Sequence, residues 1–226
     1  MTYDLFIGDR TFSSWSLRGW LMLEKFDLPY QTHMVGLYSG TMAEDLAQLH
    51  PARLVPVLRT PDGHVIGETL AMAETLAERH PEAGLWPADA ALRTRARWLC
   101  AEMAAGFSAL RSACPMQLDH VNLGFAPSAA VVADLQRIET LWSAAWSLSG
   151  SKDWLLGDYS LADVFYAPVA ARIIGYELPV SDQIRDYCER TISDPVFKAW
   201  RELGQKVSYT TFPYPDYPPT ATWPEA

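Results

Sequence analysis

Two adjacent hydroxyl side chains stand where the first strand-like run of the sequence gives way to a helical pattern. Residues 3–7 are β-rich, and Ser13 and Ser14 come just before a helix predicted over residues 15–26. The unpaired N–H groups at a helix start favour a nearby negative charge, and a thiolate is such a charge. Helix dipole and hydroxyl donation together can lower a thiol pKa from roughly 8.5 by one or two units. The segment can therefore hold a thiolate, although most serines in this position only cap the helix.

A second candidate segment lies before the β-rich residues 55–59. Pro56 interrupts the entry to this strand, and a proline at such a place often follows a cis peptide bond. A cis bond would turn the backbone N–H and C=O of Val55 outward, where an extended peptide could pair with them. An ordinary trans proline that starts an edge strand is the alternative.

A third candidate segment joins the last predicted strand of this region to a helix. Glu68 can pair with an ammonium group, while the hydroxyl and N–H of Thr69 can bind a carboxylate at the helix start. These are the two charged ends of an α-amino acid. The alternative is a capping threonine beside a solvated glutamate.

The elements around these segments divide the chain into two parts. Residues 1–82 read as β-α-β-β-β-α, with residues 83–89 as a linker, and the rest reads as helices with no sheet. Five prolines between residues 212 and 224 predict an extended tail over 209–226. The helices of the second part, within 90–208, are predicted at residues 90–110, 129–148, 161–173, 183–192 and 195–207.

Composition excludes several classes of function. The formal charge of −9 and the absence of basic runs argue against a nucleic-acid or anionic-membrane partner. The three cysteines, Cys100, Cys114 and Cys188, form no C-x-x-C pair that could act as a dithiol centre or a metal clip, so buried reduced thiols and no bound metal are expected. The start of the chain resembles neither a secretory signal nor a membrane span, which predicts a cytoplasmic protein.

A fourth segment, Gly157-Asp158-Tyr159-Ser160-Leu161-Ala162-Asp163, completes a recognisable order of motifs. Together with Ser13-Ser14, Leu54-Val55-Pro56 and Glu68-Thr69, it resembles the soluble glutathione S-transferases over nearly the whole chain, and most closely the serine-type, zeta-like or related bacterial members. The segment looks like the family's buried capping box, in which Ser160 would cap a helix and Asp163 would reach back to the helix start.

The resemblance implies a fold and a set of site residues. The fold would be α/β plus all-α, a thioredoxin-like N-terminal domain followed by an all-helical domain. Ser13 or Ser14 would donate a hydrogen bond to the sulfur of glutathione, the co-substrate, and so stabilise the thiolate that attacks a small electrophile. The activity implied is that of a glutathione transferase, with a glutathione-dependent isomerase or peroxidase activity as further possibilities. The residues implied to hold glutathione are Arg53, Leu54, Val55, Pro56, Glu68 and Thr69. Those implied to line the second-substrate pocket are Trp15, Met103, Phe107 and Arg111, although the apolar helical spacing of Met103 and Phe107 is more typical of a plain core.

The sequence departs from the family pattern at two positions. Zeta-type members carry a cysteine where this chain has Trp15, which counts against a maleylacetoacetate isomerase activity, and Thr69 replaces a serine but keeps the hydroxyl. The resemblance further implies a homodimer with a role in detoxification. Two alternatives remain: a transferase fold kept as a binding or scaffold protein with little turnover, and a thiol-disulfide oxidoreductase. The latter is disfavoured because no cysteine lies at the first helix start.

Overall fold

The structure is a computed structural model that describes residues 2–37, 39–207, 214 and 217–224. The chain forms two compact units: Met1–Leu85 with Ala199–Phe212, called here the N-terminal unit, and Trp86–Lys198 with Pro213–Ala226, called the C-terminal unit. The first division falls within the stretch 83–89 that was predicted as a linker. The sequence analysis placed the whole of the last helix, residues 195–207, in the second domain, whereas the structure assigns its residues from Ala199 onward to the N-terminal unit.

The N-terminal unit contains a four-stranded sheet in the order β2-β1-β3-β4, in which β1 and β2 are parallel and the other pairs are antiparallel. This is the arrangement expected of a thioredoxin-like fold. Short 3₁₀ helices at Ala47–Leu49 and Pro81–Ala83 complete the unit. Its strands and α-helices are β1 (Tyr3–Ile7), α1 (Ser14–Glu24), β2 (Tyr30–Met34), α2 (Met42–Asp45), β3 (Val57–Arg59), β4 (Val65–Ile66) and α3 (Thr69–Arg79).

Alternation along β1 explains how the sheet forms its core. Tyr3, Leu5 and Ile7 are buried, whereas Asp4 and Phe6 are only partly buried. Successive side chains of a strand point to opposite faces, so the buried set lies on one face and packs into the core. The site segments therefore follow strands whose positions are set by this core.

The C-terminal unit is mainly helical. Within the described residues its elements are α4 (Ala90–Ala105), α5 (Ser108–Ala113), β5 (His120–Asn122), α6 (Ala129–Ser149), α7 (Leu161–Gly175), α8 (Asp182–Ser193), the first part of α9 (Pro195–Gln205) and β6 (Thr220–Thr222). None of the described helices is long and apolar enough to cross a bilayer.

The single helix predicted over residues 90–110 is wrong, because the structure divides it into α4 and α5. Gly106 ends α4 in an extended conformation, and Phe107 follows with a left-handed backbone (φ 56°). The start of α5 is capped by a residue of another helix, because the N–H of Leu110 donates to the carboxylate of Asp134 in α6 (2.9 Å). Helical periodicity continues through the break, so it could not reveal it.

The prediction of no sheet in the second part is also wrong. Strands β5 and β6 pair antiparallel, with Val121 opposite Ala221. Trp223 follows β6 and is almost fully buried, and the N–H of Tyr217 donates to the side chain of Asn122 (3.1 Å). The tail is thus extended at residues 220–222, as expected, but it is paired with a strand. Residues 208–213, 215, 216, 225 and 226, most of them in the predicted tail, lie outside the described residues.

The helix α7 begins at a buried carboxylate. Asp163 is fully buried, and its Oδ2 accepts hydrogen bonds from the N–H (2.9 Å) and hydroxyl (3.2 Å) of Ser160. Its Oδ1 accepts from the Leu155 N–H (3.1 Å) and the Tyr187 hydroxyl (3.0 Å). Burial raises the pKa of the carboxyl to about 6, because the four hydrogen bonds only partly offset the loss of hydration.

The raised pKa of Asp163 predicts a pH-dependent stability. The unfolded chain loses this proton near the ordinary pKa of 3.8, whereas the folded chain keeps it until about pH 6. The folded state therefore binds more protons between these values, and the free energy of unfolding should fall by about 2 kcal/mol as pH rises from 4 to 6. Thermal unfolding of the wild type and Asp163→Asn at several pH values measures this, since the amide cannot titrate. Parallel pH profiles for the two proteins would contradict the assignment.

Candidate functional site

A short chain of hydrogen bonds joins the end of β1 to the first turn of α1. Ser13 is the N-cap of α1 and is buried, and its hydroxyl donates to Oγ of Ser16 (2.7 Å). The same Oγ accepts from the backbone N–H of Gly8 (3.0 Å). Ser16 is fully buried and was missed by the sequence reasoning, although its spacing of three residues from the N-cap is the signal that could have found it.

The loop before Ser13 is held by its own polar groups. The buried carboxylate of Asp9 accepts hydrogen bonds from the N–H groups of Thr11 (2.8 Å) and Phe12 (3.2 Å). The N–H of Ser13 donates to the carbonyl of Asp9 (2.9 Å). An aspartate turn of this kind restricts the loop backbone, so the position of the Ser13 hydroxyl is well defined. Ser14 is the first residue of α1 and is only partly buried.

The Val55 segment lies directly beside this junction. The pairing of Phe6 with Val57 brings the residues before β3 past the end of β1. A Cβ atom on Gly8 would stand 3.2 Å from Cγ2 of Val55, so the two residues are in close contact. The Val55–Pro56 peptide bond is cis. Val55 is itself buried, and within the described residues no hydrogen bond engages its backbone, so its N–H and C=O are unpaired there.

The start of α3 is the third part of the site. Glu68 occupies the N-cap position in an extended conformation, but its exposed side chain makes no capping hydrogen bond. Thr69 is almost fully buried at the first helical position. A Cβ atom on Gly67 would stand 3.7 Å from Ala52, so this turn adjoins the segment that carries Val55. Exposed Arg53 and Leu54 lie between Ala52 and Val55.

The electrostatics of the N-terminal unit favour anions at both helix starts. Neither α1 nor α3 has an acidic residue in its first turn, although the Glu68 carboxylate stands at the N-cap of α3 and the buried Asp9 carboxylate lies in the turn before α1. A buried cation, Arg18, adds to the field near α1. Its guanidinium group donates to the Ser14 carbonyl (3.3 Å) and lies 4.3 Å from the centre of the Trp15 ring. Sequence reasoning missed Arg18, whose signal is its position one helical turn after Ser14.

The residues predicted for a second-substrate pocket belong to two different units. Trp15 is partly buried in the first turn of α1, in the N-terminal unit. In the C-terminal unit, Met103 is fully buried and Phe107 nearly so, with its ring 6.4 Å from that of Tyr166. A guanidinium nitrogen of Arg111 donates to the carbonyl of Gly106 (3.5 Å). Within its own unit, the position of Met103 fits the core alternative, and the pocket itself stays a prediction.

The chain's own thiols are placed unfavourably for chemistry. All three cysteines are buried thiols, and none of them forms a disulfide. Burial raises the pKa of Cys114 to about 12 and that of Cys188 well above its ordinary value. A protonated and inaccessible thiol is a poor nucleophile. These positions argue against the oxidoreductase alternative. Among the described residues, no group of His, Cys, Asp and Glu side chains could hold a metal ion.

Comparison with known proteins shows the family to which this chain is similar. The family model "Glutathione S-transferase, N-terminal domain" matches residues 12–79, which contain all three segments. A probable maleylacetoacetate isomerase of Caenorhabditis elegans is 32% identical over 163 residues, covering 70% of this chain and 75% of the relative.

Solved structures share the fold at lower identity. A Burkholderia glutathione transferase homologue with bound glutathione has a TM-score of 0.68 at 23% identity, covering 92% of this chain and 100% of that one. A Trametes versicolor glutathione transferase Omega 2S, in complex with 2,4-dihydroxybenzophenone, has a TM-score of 0.69 at 22% identity, covering 91% and 96%. The chain belongs to the glutathione S-transferase family. The predicted fold class is thereby confirmed, and a glutathione-dependent enzyme is supported over the scaffold alternative.

The geometry at α1 favours Ser13 over Ser14 as the group that meets the glutathione sulfur. Ser13→Ala should raise the pKa of the bound thiol by about one to two units, because a hydrogen bond to a charged acceptor contributes roughly 1.5 to 3 kcal/mol. Glutathione affinity well below that pKa should change little, since the bond strengthens only as the sulfur ionises. Titration of thiolate absorbance with glutathione bound measures the shift.

Ser14→Ala provides the matched comparison and should shift the thiol pKa less. If neither alanine variant moves the titration, thiolate stabilisation does not come from these hydroxyls.

Proposed function

We propose that the chain binds glutathione along the edge formed by the three segments and ionises its thiol beside Ser13. The contact between Gly8 and Val55 carries this proposal, because it brings a backbone open to peptide pairing next to the hydroxyl at the start of α1. The hydroxyl of Ser13 would turn from Ser16 to the sulfur. Ser16 could then donate its own hydrogen to Ser13, which keeps the chain of hydrogen bonds complete and polarises it toward the anion.

The remaining groups of glutathione would occupy the other two segments. The cysteinyl backbone would pair with Val55, and the α-carboxylate of the γ-glutamyl end would lie at the uncapped start of α3 with Thr69. Glu68 would pair with the ammonium group of the same end, and Arg53 with the glycyl carboxylate. Each charged group of the tripeptide thus has a partner of opposite charge or a helix dipole. Leu54 and Pro56 would border the bound peptide.

The thiolate would attack a small electrophile, and two outcomes are chemically open. If the sulfur stays bonded to the electrophile, the product is a glutathione conjugate. If it adds to an activated double bond and later leaves, glutathione is returned and the substrate is isomerised. The names of the curated relatives favour isomerisation, whereas Trp15 in place of the zeta-type cysteine favours a different electrophile. Trp15 remains a proposed second-substrate residue, whereas the fully buried Met103 belongs to the core of its own unit.

The proposal includes a homodimer in the cytoplasm with a role in detoxification. The family resemblance supports the dimer and this role. The three cysteines form no disulfide, which fits a reducing compartment, where glutathione keeps disulfides rare. The proposed partners are therefore a small electrophile and a second copy of the chain, with neither nucleic acid nor membrane involved.

Glutathione binding is tested by changing the charge at the start of α3. Glu68→Gln should weaken glutathione binding about 10- to 100-fold, the effect of losing one charge-assisted hydrogen bond. Isothermal titration calorimetry measures the affinity. Glu78→Gln is the matched control, because it removes an equally exposed carboxylate from the other end of the same helix.

Turnover is tested with glutathione and a panel of aryl halides, activated alkenes and cis-configured unsaturated acids. We expect consumption of at least one electrophile, with or without consumption of glutathione. Retention of glutathione without turnover of any compound would contradict the enzymatic proposal, and equal affinities in the two glutamate variants would contradict the placement of the γ-glutamyl end.

The dimer is tested by light scattering over a range of protein concentrations. We expect the mass of two chains, because the family resemblance implies a homodimer. A mass of one chain that does not change with concentration would refute it.

A further inference from the structure

A tryptophan from the last helix contacts the loop that precedes Ser13. Trp200 lies in α9, and the part of the chain from Ala199 onward belongs to the N-terminal unit. The side chain is fully buried, and its Nε1–H donates to the carbonyl oxygen of Arg10 (2.7 Å). The guanidinium group of Arg10 lies 5.6 Å from the centre of the Trp200 ring. This loop backbone is therefore bonded to a residue that is 190 positions away in sequence.

The same tryptophan also contacts α1. Its ring lies 5.2 Å from that of Trp20, which is buried in the middle of that helix. A single rigid side chain thus touches both the loop before Ser13 and the helix that Ser13 caps. Because an indole has only two side-chain torsions, it holds these two parts of the backbone in a defined relation.

A second residue of α9 approaches the loop one turn later. A Cβ atom on Gly204 would stand 3.0 Å from Oγ1 of Thr11 and 3.3 Å from Cβ of Arg10. Both distances are shorter than ordinary van der Waals contacts, so a side chain at this position would force the loop to give by a few tenths of an ångström. The loop is therefore packed against α9 at both of these residues.

The loop transmits this contact directly to Ser13. Thr11 and Phe12 donate to the Asp9 carboxylate, and the N–H of Ser13 donates to the Asp9 carbonyl. Arg10 lies inside this hydrogen-bonded turn, so a displacement of its carbonyl moves the turn as a whole. A hydrogen bond to a developing anion depends steeply on donor distance and angle, and small displacements at such a site reduce its effect.

We propose that Trp200 is a positioning residue for thiolate formation, acting through the Asp9–Phe12 turn on the hydroxyl of Ser13. The inference rests on the proposed role of Ser13 in the glutathione site. If so, the last helix, which the sequence analysis placed in the helical domain, contributes to thiol activation by positioning Ser13. The indole N–H holds the Arg10 carbonyl, and the loss of this bond leaves the turn free to shift while the serine itself is unchanged.

The inference is tested with Trp200→Phe, which keeps an aromatic ring and removes the N–H. The pKa of enzyme-bound glutathione, followed by thiolate absorbance, should rise by about half a unit to one unit, less than in Ser13→Ala. Glutathione affinity well below this pKa should stay within about twofold of wild type, because the protonated thiol does not depend on the serine bond. The kcat at neutral pH should fall and KM for glutathione there should rise by a similar modest factor, whereas KM well below this pKa should not change.

The matched control is Trp142→Phe in the C-terminal unit. Trp142 is also fully buried, and within the described residues its Nε1 has no hydrogen-bond partner. This variant removes the same volume without breaking a hydrogen bond. Its melting temperature should fall because of the lost volume, with no change in the thiol pKa. A purely structural role for Trp200 would lower the melting temperature and leave the pKa of the bound thiol at the wild-type value.

A second variant tests the loop independently of the indole. Gly204→Ala should displace Thr11 and raise the thiol pKa in the same direction, whereas Leu203→Ala, at an exposed position of the same helix, should not. Wild-type pKa values in both Trp200→Phe and Gly204→Ala would overturn the inference if Ser13→Ala shifts the titration. A shift in Trp200→Phe without one in Ser13→Ala would overturn the route through Ser13. If no variant shifts it, both the inference and the role of Ser13 fail.

Discussion

The candidate site depends on the buried hydrogen bonds between the end of β1 and the first turn of α1. Ser16 accepts from both the Gly8 N–H and the Ser13 hydroxyl. In the turn between them, the Asp9 carboxylate accepts from the backbone N–H of Thr11. Leaving such a buried polar group unpaired costs about 1 to 3 kcal/mol. The strand, the turn and the helix are therefore held together as one arrangement, and the serine hydroxyl is placed before any ligand binds.

Close backbone approaches then bring the other parts of the site to this arrangement. The absence of a side chain at Gly8 admits Val55, and Gly19 of α1 admits Pro56, whose Cβ would stand 2.9 Å from a Cβ on the glycine. The pairing of β1 with β3 sets the direction of this segment. The proposed peptide binding by Val55 and the proposed thiol activation by Ser13 would thus share one structural origin.

A buried carboxylate in the C-terminal unit serves folding and not catalysis. Asp163 is a buried carboxylate whose hydrogen bonds hold the start of α7 and reach Tyr187 of α8. Its raised pKa follows from burial and marks a structural role, because none of its partners is among the proposed glutathione contacts. A search for perturbed pKa values alone would therefore have selected Asp163 and not the candidate site. The proposed chemistry of that site rests on a serine and two helix starts.

The sequence by itself determined the features that depend on neighbouring residues. Ser13 as an N-cap, Glu68 and Thr69 at a helix start and the Ser160–Asp163 turn are local patterns, and periodicity placed most helices. Only the tertiary structure decided the break at Gly106, the strand pair that holds the tail, the shared acceptor at Ser16 and the contact of Trp200 with Arg10. Each of these features depends on backbone conformation or on a partner distant in sequence. Neither kind of feature produces a hydrophobic periodicity or a local motif that the sequence could reveal.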